Sequence, residues 1–307
     1  MPLTALTDSD LRVVMFGGKG GVGKTTTSAA TALHYVRQGR RTLIVSSDLA
    51  PSLSDIFETD IGSNETPIDG VSGLFGLEIS TEEVMRRWKV KFGPEVYAAA
   101  TSLVDMPYDD LVDYAAMAPG IQEEFLLDFV LERVRSDQYD AIVWDTAPAG
   151  DTLRLLELPH KFLSHLRVAP RVYLGVRDKL RLKQTPFLEL IASWSELARD
   201  ITGFFRDANN AAFVMVTIPE ALGVYQTQRL FREFAQFGLA VRHLIINHVI
   251  THPDSSFLEA RRAMQTPYIR QLEKQFGDQL TITKVPEFPH EVKGIKSLRT
   301  VESVLFP

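Results

Sequence analysis

Cysteine is absent from all 307 residues. That absence excludes disulfides, thiolate nucleophiles, cysteine-ligated zinc and iron–sulfur clusters together. It fits a reducing compartment without requiring one. Long apolar runs are missing too. No stretch reaches ~18 uninterrupted apolar residues, so no membrane-spanning helix is expected. Positive charge is not in excess: the formal net charge is −6, which gives no sequence-wide attraction for DNA or anionic lipid. Met1 to Asp10 carry acids and no apolar core, so they do not read as a secretory signal. The length suits one large or two modest domains with a sizeable core.

What is present centres on one glycine-rich stretch. Val13-Val14-Met15-Phe16 reads as a strand, and Thr27 to Gln38 reads as a helix. Between them, Gly18 to Thr25 satisfies G-x-x-x-x-G-K-[ST], the phosphate-binding loop. Glycines let successive N–H groups turn inward around phosphate oxygens. The helix N-terminus adds its partial positive charge. In such a loop Lys24 reaches the β- and γ-phosphates and the Thr25 hydroxyl ligates Mg²⁺. The expected nucleotide-binding residues are therefore Gly18, Lys19, Gly20, Gly21, Val22, Gly23, Lys24, Thr25 and Thr26. Lys19 exceeds what the loop requires. Held among glycines it has no packing role, and it lies near the phosphates of its own nucleotide or of a partner subunit's.

Apolar, β-branched runs recur with helical stretches between them. The strand candidates are Arg12–Phe16, Arg41–Ser46, Leu74–Ile79, Tyr139–Asp145, Arg171–Val176, Ala212–Ile218, Val241–Val249 and Leu280–Val285. Several are apolar throughout, as strands buried on both faces of a parallel sheet are. Strand alternating with helix predicts an α/β, doubly wound, mainly parallel sheet, with ligands at the carboxyl ends of its strands. Gly62 to Gly73 reads as a loop, and the helix after Asn247 is expected over Gln265 to Gly277. Two stretches break the rhythm. Thr81 to Met117 carries Trp88, Phe92, Tyr97 and Leu111 at helical spacing, punctuated by Gly93-Pro94 and Met106-Pro107. Arg177 to Asn210 carries Phe187, Ile191, Trp194, Ala198, Ile201 and Phe205 on one face. The expected division is a nucleotide-binding core of residues 1–80, 119–176 and 211–307, with a helical subdomain of residues 81–118 and 177–210.

Polar residues stand at the strand ends. Asp48 follows the second strand, where a carboxylate either orients attacking water or caps the next helix. Asp145 ends a buried strand, the position of a magnesium ligand acting through water, and Gly150 can turn a backbone N–H toward a γ-phosphate. Glu220 is a helix-start acid or a nucleotide contact. Asn247 offers both donor and acceptor, which suits the N6 and N7 edge of adenine, or else serves a turn. Pro286 and Phe288 sandwich a base or merely stiffen their loop. His248 and His252 have metal-ligand spacing only on a helix, and Pro253 argues against one there.

GGKGGVGKTT resembles the deviant phosphate loop shared by ArsA-type ATPases, tail-anchored-protein targeting ATPases, MinD/ParA proteins and nitrogenase iron proteins. SSDLAPSLSD is similar to the first switch of the ArsA and targeting branch, with Leu49 for its usual Pro and Pro51 for its His. DTAPAGDTLRLLELP is similar to the second switch, with Asp151 in place of His. The resemblance runs from Arg12 to the last helix. It implies ATP and Mg²⁺ as cofactors and a homodimer in which Lys19 reaches across to the other subunit's nucleotide. It implies Asp48, Lys19 and Lys24 as catalytic residues, Thr25 and Asp145 at the metal, and Gly150, Glu220, Asn247, Pro286 and Phe288 at the nucleotide. A hydrophobic client helix, such as a tail-anchored protein's, a membrane receptor and a cytoplasmic location also follow from it. Packing between the two insertions is the alternative role for their apolar stripes.

Three further expectations come from what is missing. Targeting ATPases commonly carry a C-x-x-C pair that shares zinc between subunits, and this chain has no cysteine, so no zinc is expected. Arsenite transport relies on soft thiolates and nitrogenase-like electron transfer on a cluster, so both are disfavoured. A MinD/ParA-like partitioning or membrane-associated ATPase remains an alternative, as does a cysteine-free relative of the arsenite pump with another client. Nucleic acid is not an expected partner.

Overall fold

Apolar runs bounded by turn residues form the strands that their pattern predicts. The computed structural model describes Leu3, Leu6 and residues 11–47, 52–100, 106–117, 121–146, 186–236, 238–239 and 241–307, with residues 122, 123, 186 and 187 described at the backbone alone. Eight strands are seen there: β1 Val13–Gly18, β2 Thr42–Ser46, β3 Thr66–Pro67, β4 Leu74–Glu78, β5 Ala141–Asp145, β6 Ala211–Thr217, β7 Val241–Val249 and β8 Thr281–Pro286. They form one sheet in the order β3-β4-β2-β5-β1-β6-β7-β8. Every described pairing is parallel except β3 with β4. The fold is the α/β, mainly parallel arrangement expected. The strand candidate Arg171–Val176 lies outside the described residues.

β1, β2, β5 and β6 are buried at every position. Each fully buried Val, Leu or Ile contributes about 1.5–3 kcal/mol, so the sheet centre carries much of the stability. The helices that cover it are α1 Lys24–Arg37, α2 Ser52–Phe57, α7 Ala221–Gln236, α8 Ser256–Phe276 and α9 Gly294–Leu305. α1 and α9 are tied together: the His34 ring stacks on Phe306 at 3.8 Å, and Arg37 pairs with the buried Glu302 at 2.9 Å. Under α7, Phe213 of β6 packs on Phe234 with ring centroids 4.2 Å apart.

Between α2 and α7 in the chain come α3 Thr81–Ala100, α4 Tyr108–Ala116, α5 Ile121–Arg135 and α6 Pro186–Arg206. The chain divides into two compact units, one drawn from Met1–Ile79, Arg133–Leu153 and Phe205–Pro307, the other from Ser80–Glu132 and Arg154–Phe204. In the second unit, Phe92 meets Phe125 and Trp194 edge-on, with centroids 6.3 and 6.1 Å apart. Gly93-Pro94 does not interrupt α3 as the sequence suggests. Pro94 is exposed, so the carbonyl it leaves without a helix bond can face water, and a Cβ at Gly93 would lie 2.6 Å from the Tyr108 hydroxyl. The glycine is there for the close approach of α4.

Other boundaries differ from the sequence reading for local reasons. The stretch read as a loop over Gly62 to Gly73 contains β3, whose Thr66 and Pro67 pair with Gly76 and Phe75. Proline is tolerated because this is an edge strand. Helix α8 begins at Ser256, nine residues before the expected start, because the Ser255 hydroxyl accepts from Leu258 N and caps it. Pro267 then lies inside the helix. No described helix is long and apolar enough to cross a membrane.

His243 of β7 is 1% exposed, and neither ring nitrogen has a hydrogen-bond partner among the described residues. Burial, helped by Arg242, pushes its pKa down to about 4. The folded protein keeps this ring neutral, while the unfolded chain takes up a proton below about pH 6.5. Stability therefore falls as pH drops from 6.5 toward 4, by on the order of 3 kcal/mol. His243→Phe should remove that slope and raise stability by about 1–3 kcal/mol. Urea unfolding of variant and parent at pH 5 and pH 8.5 measures it; an equal difference at both values would refute it.

Candidate nucleotide site

The phosphate loop is built by the end of β1 and the start of α1. β1 runs two residues beyond the expected Phe16, to Gly18, because β6 continues beside it and pairs Gly18 with Val216. That approach is close: a Cβ on Gly18 would lie 2.2 Å from the Val216 carbonyl oxygen. Gly23 has φ 94°, a left-handed conformation that favours glycine. It turns the chain straight into α1, so the helix starts at Lys24 rather than at Thr27. The first N–H groups of a helix have no partners within it, and here they belong to the motif itself.

Lys24 is 6% exposed and its Nζ lies 3.4 Å from the Lys19 carbonyl. Lys19, Gly20 and Gly21 are exposed. The Thr25 hydroxyl donates to Asp145 Oδ2 at 2.6 Å, joining α1 to the end of β5. Asp145 is 1% exposed. Beside it, the Thr146 hydroxyl donates to the Phe16 carbonyl at 2.7 Å, which fixes the two strand ends together. Hard oxygen donors this close suit a small divalent cation such as Mg²⁺. Asp48 and Gly150 lie outside the described residues.

A cavity of about 800 Å³ opens at these strand ends, lined among others by Gly23, Thr25, Ser52, Asn247, Pro286 and Phe288. Its size falls in the usual range for small-molecule sites. Asn247 of β7 is 6% exposed and its Nδ2 donates to the Val22 carbonyl at 3.0 Å. Its Oδ1 is the atom left to accept from a ligand's exocyclic amine. Glu220 is placed differently. It lies outside the residues that line the cavity and accepts from Arg261 Nη2 at 3.2 Å.

Two contributors were not singled out in the sequence. Glu78, at the end of β4, accepts from Leu53 N at 2.6 Å and Ser54 N at 3.1 Å, and from the Ser54 hydroxyl at 2.8 Å. It anchors the start of α2, the helix that follows the Asp48 segment. Gln265 of α8 donates to the His248 carbonyl at 2.7 Å and accepts from Ile250 N at 2.9 Å. An acid closing a strand was the one visible signal for Glu78; Gln265 had none. His248 bonds Glu287 and His252 bonds Thr251. Among the described residues no group of three or more His, Asp or Glu is placed to hold a metal ion.

Residues 11–307 match the model of the anion-transporting ATPase family. Similar curated proteins include "ATPase GET3" of Pyricularia oryzae, 31% identical over 98% of this chain and 92% of that protein. "ATPase get3" of Sclerotinia sclerotiorum is 32% identical, with 98% and 91% covered. "ATPase ASNA1 homolog" of Dictyostelium discoideum is 31% identical, with 96% and 89% covered. A match across nearly the whole chain settles its kinship: the chain belongs to the anion-transporting ATPase family.

Proposed function

We propose that this protein is an ATPase of the tail-anchored-protein targeting type, hydrolysing ATP to ADP and phosphate in the cavity beside Thr25. The observation that carries the reading is the Thr25–Asp145 bond at the mouth of an intact phosphate loop. Kinship with proteins named ATPase GET3 and ATPase ASNA1 homolog supports it. Thr25 would hold Mg²⁺ directly and Asp145 through water, and the ion would supply positive charge to offset that of the transferred group. Lys24 binds the β- and γ-phosphates. Loop N–H groups from Gly20 to Thr26 fix the triphosphate, and Gly150 adds one at the γ-phosphate. Asp48 orients the attacking water. Asn247 accepts from the adenine amine, and Pro286 and Phe288 flank the base. Catalysis in such sites is mostly positioning and charge stabilisation.

In the same reading the protein acts as a cytoplasmic homodimer. ATP closes two copies, with Lys19 of each reaching the other's nucleotide and Glu220 near that interface. Closure is coupled to the helical unit, which receives an apolar client helix, and a membrane receptor takes the client over. Asp48→Asn should reduce turnover by about 10²–10⁴-fold and leave ATP binding intact. Steady-state hydrolysis alongside equilibrium binding of a nonhydrolysable analogue checks it; unchanged turnover would remove Asp48 from the mechanism. Capture of an apolar C-terminal helix over a scrambled control, gated by that analogue, tests the client. Binding to DNA or to bare vesicles instead would favour a partitioning ATPase.

A further inference from the structure

β7 and β8 lose register at one place. Ile246 pairs with Lys284 and Val249 with Pro286, so β7 carries one extra residue at Asn247-His248. A bulge of this kind re-aims side chains at a strand end. Here it sends the two neighbours to different partners. Asn247 Nδ2 reaches back to the Val22 carbonyl of the phosphate loop. His248 Nδ1 lies 2.7 Å from Glu287 Oε2, in the segment that leaves β8 and lines the cavity.

The arrangement costs something and is held in place. His248 has φ 58°, in the left-handed region that few non-glycine residues occupy. Strained backbone of this kind persists where its surroundings over-determine it, and it clusters at functional sites. The grip is visible: Gln265 bonds the His248 carbonyl and the Ile250 N–H, the backbone groups on either side of Val249 where the bulge ends. Glu287 N also donates to the Val249 carbonyl at 3.0 Å. Both side chains of the pair are near half-exposed. An exposed pair contributes little to stability, so its use lies elsewhere.

We propose that His248 and Glu287 form a latch that positions the 286–293 loop over the base end of the cavity, and that this latch sets affinity for the nucleoside part of ATP. The inference rests on reading the cavity as an ATP site. The Glu287 carboxylate accepts from Nδ1–H and fixes the His248 tautomer. Pro286 and Phe288 flank Glu287 in the chain, so holding Glu287 holds both against the base. Because Asn247 precedes His248, the strap joins the phosphate loop to the base-side loop. His248 and Glu287 are thus positioning residues rather than catalytic ones.

The test compares ATP with inorganic triphosphate, which lacks the base, by equilibrium binding to the full-length protein with Mg²⁺. Glu287→Ala and His248→Ala should each weaken ATP about tenfold and leave triphosphate within about twofold. The double variant should be no worse than the weaker-binding single one, as residues acting through one contact are. His248→Asn should restore ATP affinity to within about threefold, because Asn tolerates positive φ and its amide replaces the Nδ1 donor. In steady state the alanine variants should raise KM and leave kcat within about twofold. Glu287→Ala with unchanged ATP affinity, an equal loss for triphosphate, or additive losses in the double variant would overturn the latch alone. A parent protein that binds triphosphate but gains nothing from the adenosine would overturn the base-site reading and the latch with it.

Discussion

Lys24→Ala should lower ATP turnover by about 10³-fold, the scale seen when one charge-stabilising group is removed from a phosphoryl-transfer site. The residue is nearly buried, and its ammonium sits 3.4 Å from the Lys19 carbonyl, inside the loop it serves. A cation so placed is costly unless an anion completes it. A triphosphate does that, and its charge rises on the γ-phosphoryl oxygens in the transition state. Lys24→Arg should rescue poorly, since a planar fork does not fit where a point charge does. Lys19 offers the contrast. It is exposed on the same loop, so Lys19→Ala should leave ATP affinity within about threefold and abolish ATP-dependent association of two copies. Turnover, nucleotide titration and sedimentation with a nonhydrolysable analogue separate the two lysines. Equal effects of both substitutions on ATP affinity would leave Lys19 a ligand of its own nucleotide.

The loop that carries both lysines was legible because its signal is local. Gly18 to Thr25 is one contiguous stretch whose strand and helix flanks are also contiguous. β5 could be recognised because Ala141-Ile142-Val143-Trp144 is apolar on both faces, as a central parallel strand must be. Asn247 stood out through its chemistry and its place after an apolar run, and it lines the cavity, donating to the Val22 carbonyl. Glu78 did not stand out. Its work depends on β4 lying beside β2, a pairing between segments whose order along the sheet no short pattern records. The same holds for Gln265, seventeen positions from the carbonyl it binds. For Glu220 the place after a strand was legible, but its partner Arg261, forty-one positions on, was not. Gly93-Pro94 read as a break because proline disfavours helices; the tertiary contact with Tyr108 outweighed that local preference.

Glu124 makes the helical unit sensitive to alkali. It lies on α5 beside Trp88, Phe92, Phe125 and Trp194, around a cavity of about 20 Å³. Its Oε1 is buried and has no hydrogen-bond partner among the described residues. Burial, and then the neighbouring Asp128 charge, push its pKa up to about 8. Lys91, the nearby cation, is committed to Asp128 and Glu132. The folded unit thus keeps a proton that the unfolded chain gives up near its ordinary value of 4.5. Between those values the native state binds more protons, so stability is full below about pH 4.5 and is lost as pH rises through about 8. The loss approaches about 5 kcal/mol if the unit opens as a whole, and less if α5 shifts enough to hydrate the carboxylate. Glu124→Gln keeps the shape of the protonated acid and cannot ionise. It should match the parent at pH 5 and exceed it by several-fold in resistance to opening at pH 9. Denaturant unfolding followed through Trp88 and Trp194, with Trp144 replaced by Phe to silence the sheet, reads the unit directly. The decisive window is pH 6.5 to 8, which lies below the folded value of Glu124, and His243, present in both proteins, gives each the same slope there. Parallel curves for parent and variant across that window would place a counter-charge or water at Glu124 and end the argument from burial.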